Sequence, residues 1–316
     1  MNSSPDALIV VGEALVDVVA TADGFVDYPG GSPMNVAIGL ARLEHPVQLV
    51  TRIGSDARGV ALQEHIEQSG VALYPGSLCT EATSTATATL DAAGAATYDF
   101  NINWSLDFVD LLPATPLLHF GSIAAFLEPG ATDARRLLAE APASTIVTFD
   151  PNIRPSLLHS HADAVATVED LAGLSTVVKL SDEDAHWLYP ARTVDEVLDH
   201  LLALGPVLVI ATLGGDGAIL ATATERVTCP GITVDVADTI GAGDSFMSGL
   251  IHHLARLLAT GTTPAALRAG GVFTRDELLR AGSFAVQCAG ITVSRTGANP
   301  PTLAEVSAAR GDFVAN

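Results

Sequence analysis

Short apolar runs alternate with helical spacing along most of the chain. The segments ALIVVG (7–12), VQLVTRIG (47–54), PLLHFGS (116–122), STIVTFD (144–150), STVVKLS (175–181) and PVLVIATLG (206–214) predict strands. All but PLLHFGS are rich in β-branched residues, and each is apolar at successive positions, as expected of strands covered on both faces. Between them, GVALQEHIEQSG, ATDARRLLAEA and TVDEVLDHLLALG place apolar residues three and four apart, which predicts helices. The first ends in a glycine suited to a C-cap. This alternation predicts an α/β layered fold around a mainly parallel sheet.

Two stretches depart from that rhythm. VDVVATADGFVDYPGG and TSTATATLDAAGAATYDFNI alternate small or β-branched residues and carry turn signals at Asp23-Gly24 and Ala93-Gly94. They predict hairpins and not crossover units. Threonine-rich strands with few bulky residues suit a partly exposed sheet. The reading is a small β lid, about 14–31 and 83–104, inserted in one domain spanning 1–316. Edge hairpins of the main sheet are the alternative.

Composition narrows the partners. The chain has 316 residues, a net charge of −21 and only 16% charged residues. Such an acidic surface repels nucleic acid and anionic membranes, so bound phosphate requires a local device. Cys79, Cys229 and Cys288 are odd in number and widely spaced, which favours a reducing, cytoplasmic setting over disulfides or a zinc site. At the N-terminus Glu13 and Asp17 interrupt the apolar run and no basic lead precedes it, so neither a signal peptide nor a membrane span is expected.

Several familiar sites are absent. The single lysine, Lys179, is followed by Leu180, which excludes a Walker A loop; H-E-x-x-H and G-x-S-x-G are missing as well. The stretch DTIGAGDSF (238–246) carries the strongest signal. ITVDVAD before it alternates like a half-buried strand, and Phe246, Leu250, Leu254 and Leu257 after it share one helical face. Amides of Gly241, Ala242 and Gly243 at a helix N-terminus suit an anion, and Asp244 falls in the first turn beside it. A glycine-rich N-cap with a capping aspartate is the plainer reading. In TLGGDG, Thr212, Gly214 and Gly217 suit either a nucleotide-phosphate approach or an ordinary hairpin turn. Asp17 and Asn35 are polar groups at element ends, suited to sugar hydroxyls or to capping and solvent. FDPNIRP places Asp150, Asn152 and Arg154 at a strand end, where Arg154 meets a phosphate, a carboxylate or a surface partner.

In order and spacing, GGSPMNVAIGLARL, RIGSDARG, FDPNIRP, ATLGGDG and DTIGAGDSFMSGL resemble the ribokinase/fructokinase-like (PfkB) family of sugar kinases over nearly the whole chain. The last of these is the most specific. The resemblance implies a three-layer αβα sandwich with a β lid, and magnesium-dependent phosphorylation of a sugar hydroxyl by ATP. It implies Asp244 as the base and Gly241–Gly243 as the anion hole. Asp17, Gly31 and Asn35 are implied at the sugar, with Tyr98, Phe100 and Asn101 closing from the lid and Asn152 and Arg154 nearby. Ser181, Thr212, Gly214, Gly217 and Gly297 are implied at the nucleotide, and Asp184 at magnesium through water. Asp238 and the Ile240 carbonyl match a monovalent-cation site of many members, although Pro301 replaces a cation-binding hydroxyl and argues against potassium activation. A homodimer paired through the lid is also implied.

The family's Asn-x-x-Glu becomes Ser181 and Asp184 here, in KLSDED, which is closer to fructokinases and 2-keto-3-deoxygluconate kinases than to ribokinase. Neutral Asn101 and Asn103, where the keto-acid kinases often place an arginine, favour a neutral ketose, fructose first. Two readings of other classes compete. A dinucleotide oxidoreductase is disfavoured because GAGDSF lacks a third glycine and lies late in the chain. A non-catalytic sugar or nucleotide sensor is disfavoured by retention of Asp244 and the anion hole.

Overall fold

The computed structural model describes residues 7–21, 24–90 and 96–313, with the side chains of 21, 88–90, 96–98 and 310–313 excepted. In chain order the strands are β1 (Leu8–Val11), β2 (Leu15–Thr21), β3 (Gly24–Gly30), β4 (Val47–Val50), β5 (Ile53–Gly54), β6 (Val71–Leu73), β7 (Leu78–Cys79), β8 (Thr85–Leu90), β9 (Ala96–Asn101), β10 (Leu117–Gly121), β11 (Ile146–Asp150), β12 (Val177–Ser181), β13 (Leu208–Thr212), β14 (Gly217–Ala221) and β15 (Arg226–Pro230). The helices are α1 (Ser32–Arg42), α2 (Ala57–Gln68), α3 (Gly130–Ala139), α4 (His161–Leu174), α5 (Asp182–Leu188), α6 (Val194–Leu202), α7 (Ala242–Ala259), α8 (Pro264–Arg268), α9 (Arg275–Val293) and α10 (Leu303–Phe313).

The main sheet runs β15-β14-β13-β12-β11-β10-β1-β4-β6. It is parallel except for the antiparallel ribbon β13-β14-β15. Period-two alternation divides its strands between two cores. Leu8, Val10, Leu49, Ile146, Val177 and Ile210 face a core shared with α1, α7 and α9. Ile9, Val11, Phe120, Phe149, Val178 and Val209 face the opposite core, under α3 to α6. Burial on both faces is why these strands read as unbroken apolar runs. The expected αβα sandwich is therefore present.

A second sheet runs β3-β2-β8-β9, built from two antiparallel hairpins joined by the parallel pair β2–β8. The two expected turn signals fall wholly or partly outside the described residues. Leu15, Ala86 and Ile123, with Phe100 and Leu157 against them, form a small apolar cluster between this sheet and the ends of the main strands. The edge strand β3 stays open to solvent: Phe25 is 66% and Tyr28 52% exposed.

Two expectations need correction, and one open pair of readings is narrowed. ITVDVAD is not a strand; residues 231–238 are irregular, and Val236 is exposed. Its alternation had no partner strand to pair with. VQLVTRIG is two strands in different sheets, β4 in the main sheet and β5 paired with β7. TLGGDG, read as a phosphate loop or a hairpin turn, does connect an antiparallel hairpin, β13 to β14. The helix ending at Gly70 behaves as expected, with that glycine at φ +86° just after the C-cap.

Candidate active site

The strand order reverses around β1, which pairs with β10 on one side and β4 on the other. Ligands of open α/β sheets bind at such a switch point, beyond the carboxyl ends of the strands. Glu13 follows β1, Ser122 follows β10, Asp150 ends β11, Ser181 ends β12 and Thr212 ends β13. Two non-glycine residues hold positive φ along this rim, Ser122 at +59° and Asn152 at +39°. Backbone conformations of that kind persist where the surrounding structure enforces them, and they cluster at functional sites.

Asp244 lies in the first turn of α7 and is buried. Ser32 Oγ donates to its Oδ1 at 2.6 Å and Asn35 Nδ2 donates to its Oδ2 at 2.8 Å. The head of α1 thus holds the carboxylate at the head of α7. Deeper packing fixes α7 itself. Ser248 Oγ donates to the Val36 and Asp244 carbonyls, and Ser245 Oγ donates to the Cys288 carbonyl on α9. Gly31 caps α1 at φ +113°, and a Cβ there would lie 2.6 Å from the Glu13 carbonyl oxygen. Only glycine fits where the chain leaves the small sheet and enters α1.

Gly241 caps α7 in the left-handed region at φ +76°. No side chain caps this terminus, whereas Asp56, Ser160, Ser181, Thr193, Thr263 and Thr274 cap α2, α4, α5, α6, α8 and α9. The Ala242 amide donates to the Thr239 carbonyl at 3.3 Å, so the Gly241 and Gly243 amides are the ones left for an incoming anion. Asp238 anchors the loop from behind: its two carboxylate oxygens accept the amides of Ile240 at 3.0 Å and Gly297 at 2.9 Å. Those amides, Ile240 first, hold its carboxyl below the usual range.

The remaining predicted residues fall around this crevice. Asp17 lies on β2; burial raises its carboxyl, and Arg154 opposes the shift. Phe100 packs at the base of the small sheet, Asn101 is exposed beside it, and the Tyr98 side chain lies outside the described residues. Asp184 and Ser181 form a capping box at α5, and Asp184 Oδ1 also accepts the Ile153 amide at 2.9 Å. Asp184 therefore ties FDPNIRP to α5. Gly214 has φ +54° and open space around its absent Cβ. Gly217 differs, because a Cβ there would meet the Cys229 carbonyl oxygen at 2.1 Å. Strand packing alone accounts for the second glycine.

Two buried ionisable groups escaped the sequence reading. Glu13 Oε2 accepts the Ala124 amide at 3.2 Å, and burial pushes its carboxyl up to about 7. Its signal was an acid interrupting an apolar strand end. Lys179 is buried, and its Nζ donates to Asp150 Oδ2 at 2.8 Å. Its signal was a lone lysine inside VVKLS. Asp150 Oδ1 is buried without any protein donor. No cluster of three or more metal-ligating side chains occurs among the described residues. A hydrated magnesium ion carried by phosphates fits that arrangement, with the unpartnered Asp150 oxygen as an acceptor for its water. A cavity of about 330 Å³ lined by His252, Arg256, Glu277 and Phe284 shares no residue with this crevice.

Comparison with known proteins identifies the family. The profile of the pfkB family carbohydrate kinase matches residues 6–305. A fructokinase from Rhizobium leguminosarum bv. trifolii is 34% identical over 259 residues, covering 78% of this chain and 79% of that protein. A fructokinase from Xylella fastidiosa with bound ATP superposes with a TM-score of 0.84 at 26% identity, covering 98% of this chain and 99% of the other. A fructokinase double mutant from Vibrio cholerae O395, solved with fructose, ADP and potassium ion, superposes with a TM-score of 0.80 at 26% identity and the same coverage. The chain belongs to the pfkB family of carbohydrate kinases.

Proposed function

We propose that this kinase transfers the γ-phosphoryl group of ATP to a hydroxyl of fructose, with Asp244 as the base. The observation that carries the reading is the Asp244 carboxylate, held by Ser32 and Asn35 at the uncapped head of α7. A carboxylate fixed by two donors keeps lone pairs for a substrate hydroxyl, which it orients and deprotonates as the phosphoryl group arrives. The amides of Gly241 and Gly243 face the charge spreading over the transferring oxygens, and a pre-set donor array of this kind is worth several kcal/mol, on the order of 10²–10³ in rate per donor. Magnesium supplies charge neutralisation between the phosphates; Asp150 and Asp184 would hold its water shell from the sheet side.

Asp17, Gly31, Asn35, Asn152 and Arg154 are assigned to the sugar, with Phe100 and Asn101 approaching from the small sheet. Thr212, Gly214, Ser181 and Gly297 are assigned to the nucleotide. Gly217 serves the turn that presents them. Asp238 and the Ile240 carbonyl are retained as a monovalent-cation site, supported by the potassium bound in the Vibrio cholerae structure. Fructose is favoured by the named activity of the Rhizobium relative and the fructose bound in the Vibrio structure. The exposed Phe25, Val26 and Tyr28 on an edge strand support pairing of two copies through the small sheet. Free Cys79, Cys229 and Cys288 support a cytoplasmic setting; no described helix is long and apolar enough to cross a membrane.

A coupled ADP-release screen tests the substrate. Fructose is expected to give the highest kcat/KM among fructose, ribose, 2-keto-3-deoxygluconate, tagatose 6-phosphate, fructose 1-phosphate and adenosine. A clear preference for 2-keto-3-deoxygluconate would replace fructose and leave the rest of the mechanism standing.

A further inference from the structure

The face of the main sheet beneath α1 and α7 is apolar except for one buried polar strip. His119 Nδ1 lies 3.0 Å from Thr148 Oγ1. One step along, β11 and β12 pair in parallel through Thr148–Val177 and Phe149–Val178, which brings Asp150 alongside Lys179. The Lys179–Asp150 pair is nearly sealed, with side-chain exposures of 5% and 2%. Replacing a buried ion pair by packed apolar side chains is often neutral or stabilising, so stability is a weak reason for this one to exist.

Its position offers another reason. A Cβ built on Gly243 would lie 3.1 Å from Lys179 Nζ. The ammonium therefore sits directly beneath the first turn of α7, one residue before Asp244. Asp150 lies against the ammonium, and the carboxylates of Asp184 and Asp244 lie near it. Asp150 uses Oδ2 for the lysine and leaves Oδ1 without a partner.

We propose that Lys179 is a positioning residue for phosphoryl transfer: it places a fixed positive charge behind Gly243 and holds Asp150 through one oxygen, leaving the other without a protein partner. This rests on the kinase reading above. The lysine does not touch substrate in the manner of a phosphate-loop lysine. It acts through Gly243 and Asp150, so that an anion entering at the head of α7 meets a cation as well as the carboxylates around it. With no side chain at Gly243, the ammonium approaches the α7 backbone without having to shift.

The test uses Lys179→Met, Asp150→Asn and the double variant in the full-length protein. For Lys179→Met, kcat with fructose is expected to fall on the order of 30-fold or more, with the fructose KM within about threefold. ADP alone should bind as in the wild type. ADP with magnesium, fluoroaluminate and fructose, which imitates the transferring phosphoryl group, should bind at least about tenfold more weakly. The double variant leaves no unpaired buried charge and is expected to regain the melting temperature without regaining kcat. That split separates positioning from a structural role and remains readable if the single variant folds poorly. A double variant with wild-type kcat, or Lys179→Met with unchanged fluoroaluminate binding, would overturn the proposal. A wild-type protein that releases no ADP with any sugar would instead overturn the kinase reading.

Discussion

Asn35 Nδ2 donates to Asp244 Oδ2 across 2.8 Å, joining residues 209 positions apart. The amide that motif reading assigned to the sugar is thus also a clamp on the base. Removing it releases one carboxylate oxygen and leaves Ser32 as the remaining holder. Asn35→Ala is therefore expected to lower kcat on the order of tenfold while raising the fructose KM, with the ATP KM changed less. Steady-state kinetics with each substrate varied checks this. A higher fructose KM at unchanged kcat would show that Asn35 contacts sugar alone.

Gly214 and Gly217 separate ligand approach from strand packing. Both have positive φ, but only Gly217 faces a backbone oxygen. Gly214→Ala should cost about 1–2 kcal/mol of stability, from the left-handed backbone alone, and raise the ATP KM several-fold. Gly217→Ala should lower the melting temperature far more, because β14 and β15 must separate to admit the methyl group. Calorimetry beside ATP titration distinguishes the two, and equal melting temperatures would contradict the assignment.

Glu13 makes stability depend on pH in a stated direction. Its carboxyl is raised from 4.5 to about 7, chiefly by burial, so the folded state holds the proton more tightly than the unfolded chain. The stabilisation is complete below pH 4.5 and is lost as pH rises through 7. Relative to Glu13→Gln, the wild type should lose about 2–3 kcal/mol of unfolding free energy between pH 4.5 and 7.5. Urea titrations of both proteins across that range check it. Parallel profiles would mean that Glu13 titrates normally.

The layers of the fold were legible in the chain because burial on both faces leaves strands nearly uniformly apolar, as in LIVV of β1 and LVIA at the start of β13. Alternation alone misled at ITVDVAD, where no neighbouring strand supplies hydrogen bonds. The glycine-rich head of α7 was legible as a motif, and its bland alternative, a capped N-terminus, is the one feature it lacks. Long-range pairing was not legible. Nothing local in SPMN indicates that Ser32 and Asn35 reach Asp244, and nothing in VVKLS places Lys179 beneath Gly243. Such contacts depend on strand order and helix packing. Glu13 and Lys179 did leave a local trace, since an ionisable residue inside an apolar run must find a partner or shift its pKa.

Phosphoryl transfer to fructose with Asp244 as the base is tested most directly by ADP release from the wild type and Asp244→Asn at saturating ATP and fructose. The variant keeps the shape of the site and its ADP affinity, so the rate isolates the carboxylate. The wild type should turn over fructose, and Asp244→Asn should lose on the order of 10³-fold or more in kcat with ADP binding changed less than about threefold. Near-normal turnover by Asp244→Asn would contradict the assignment of the base.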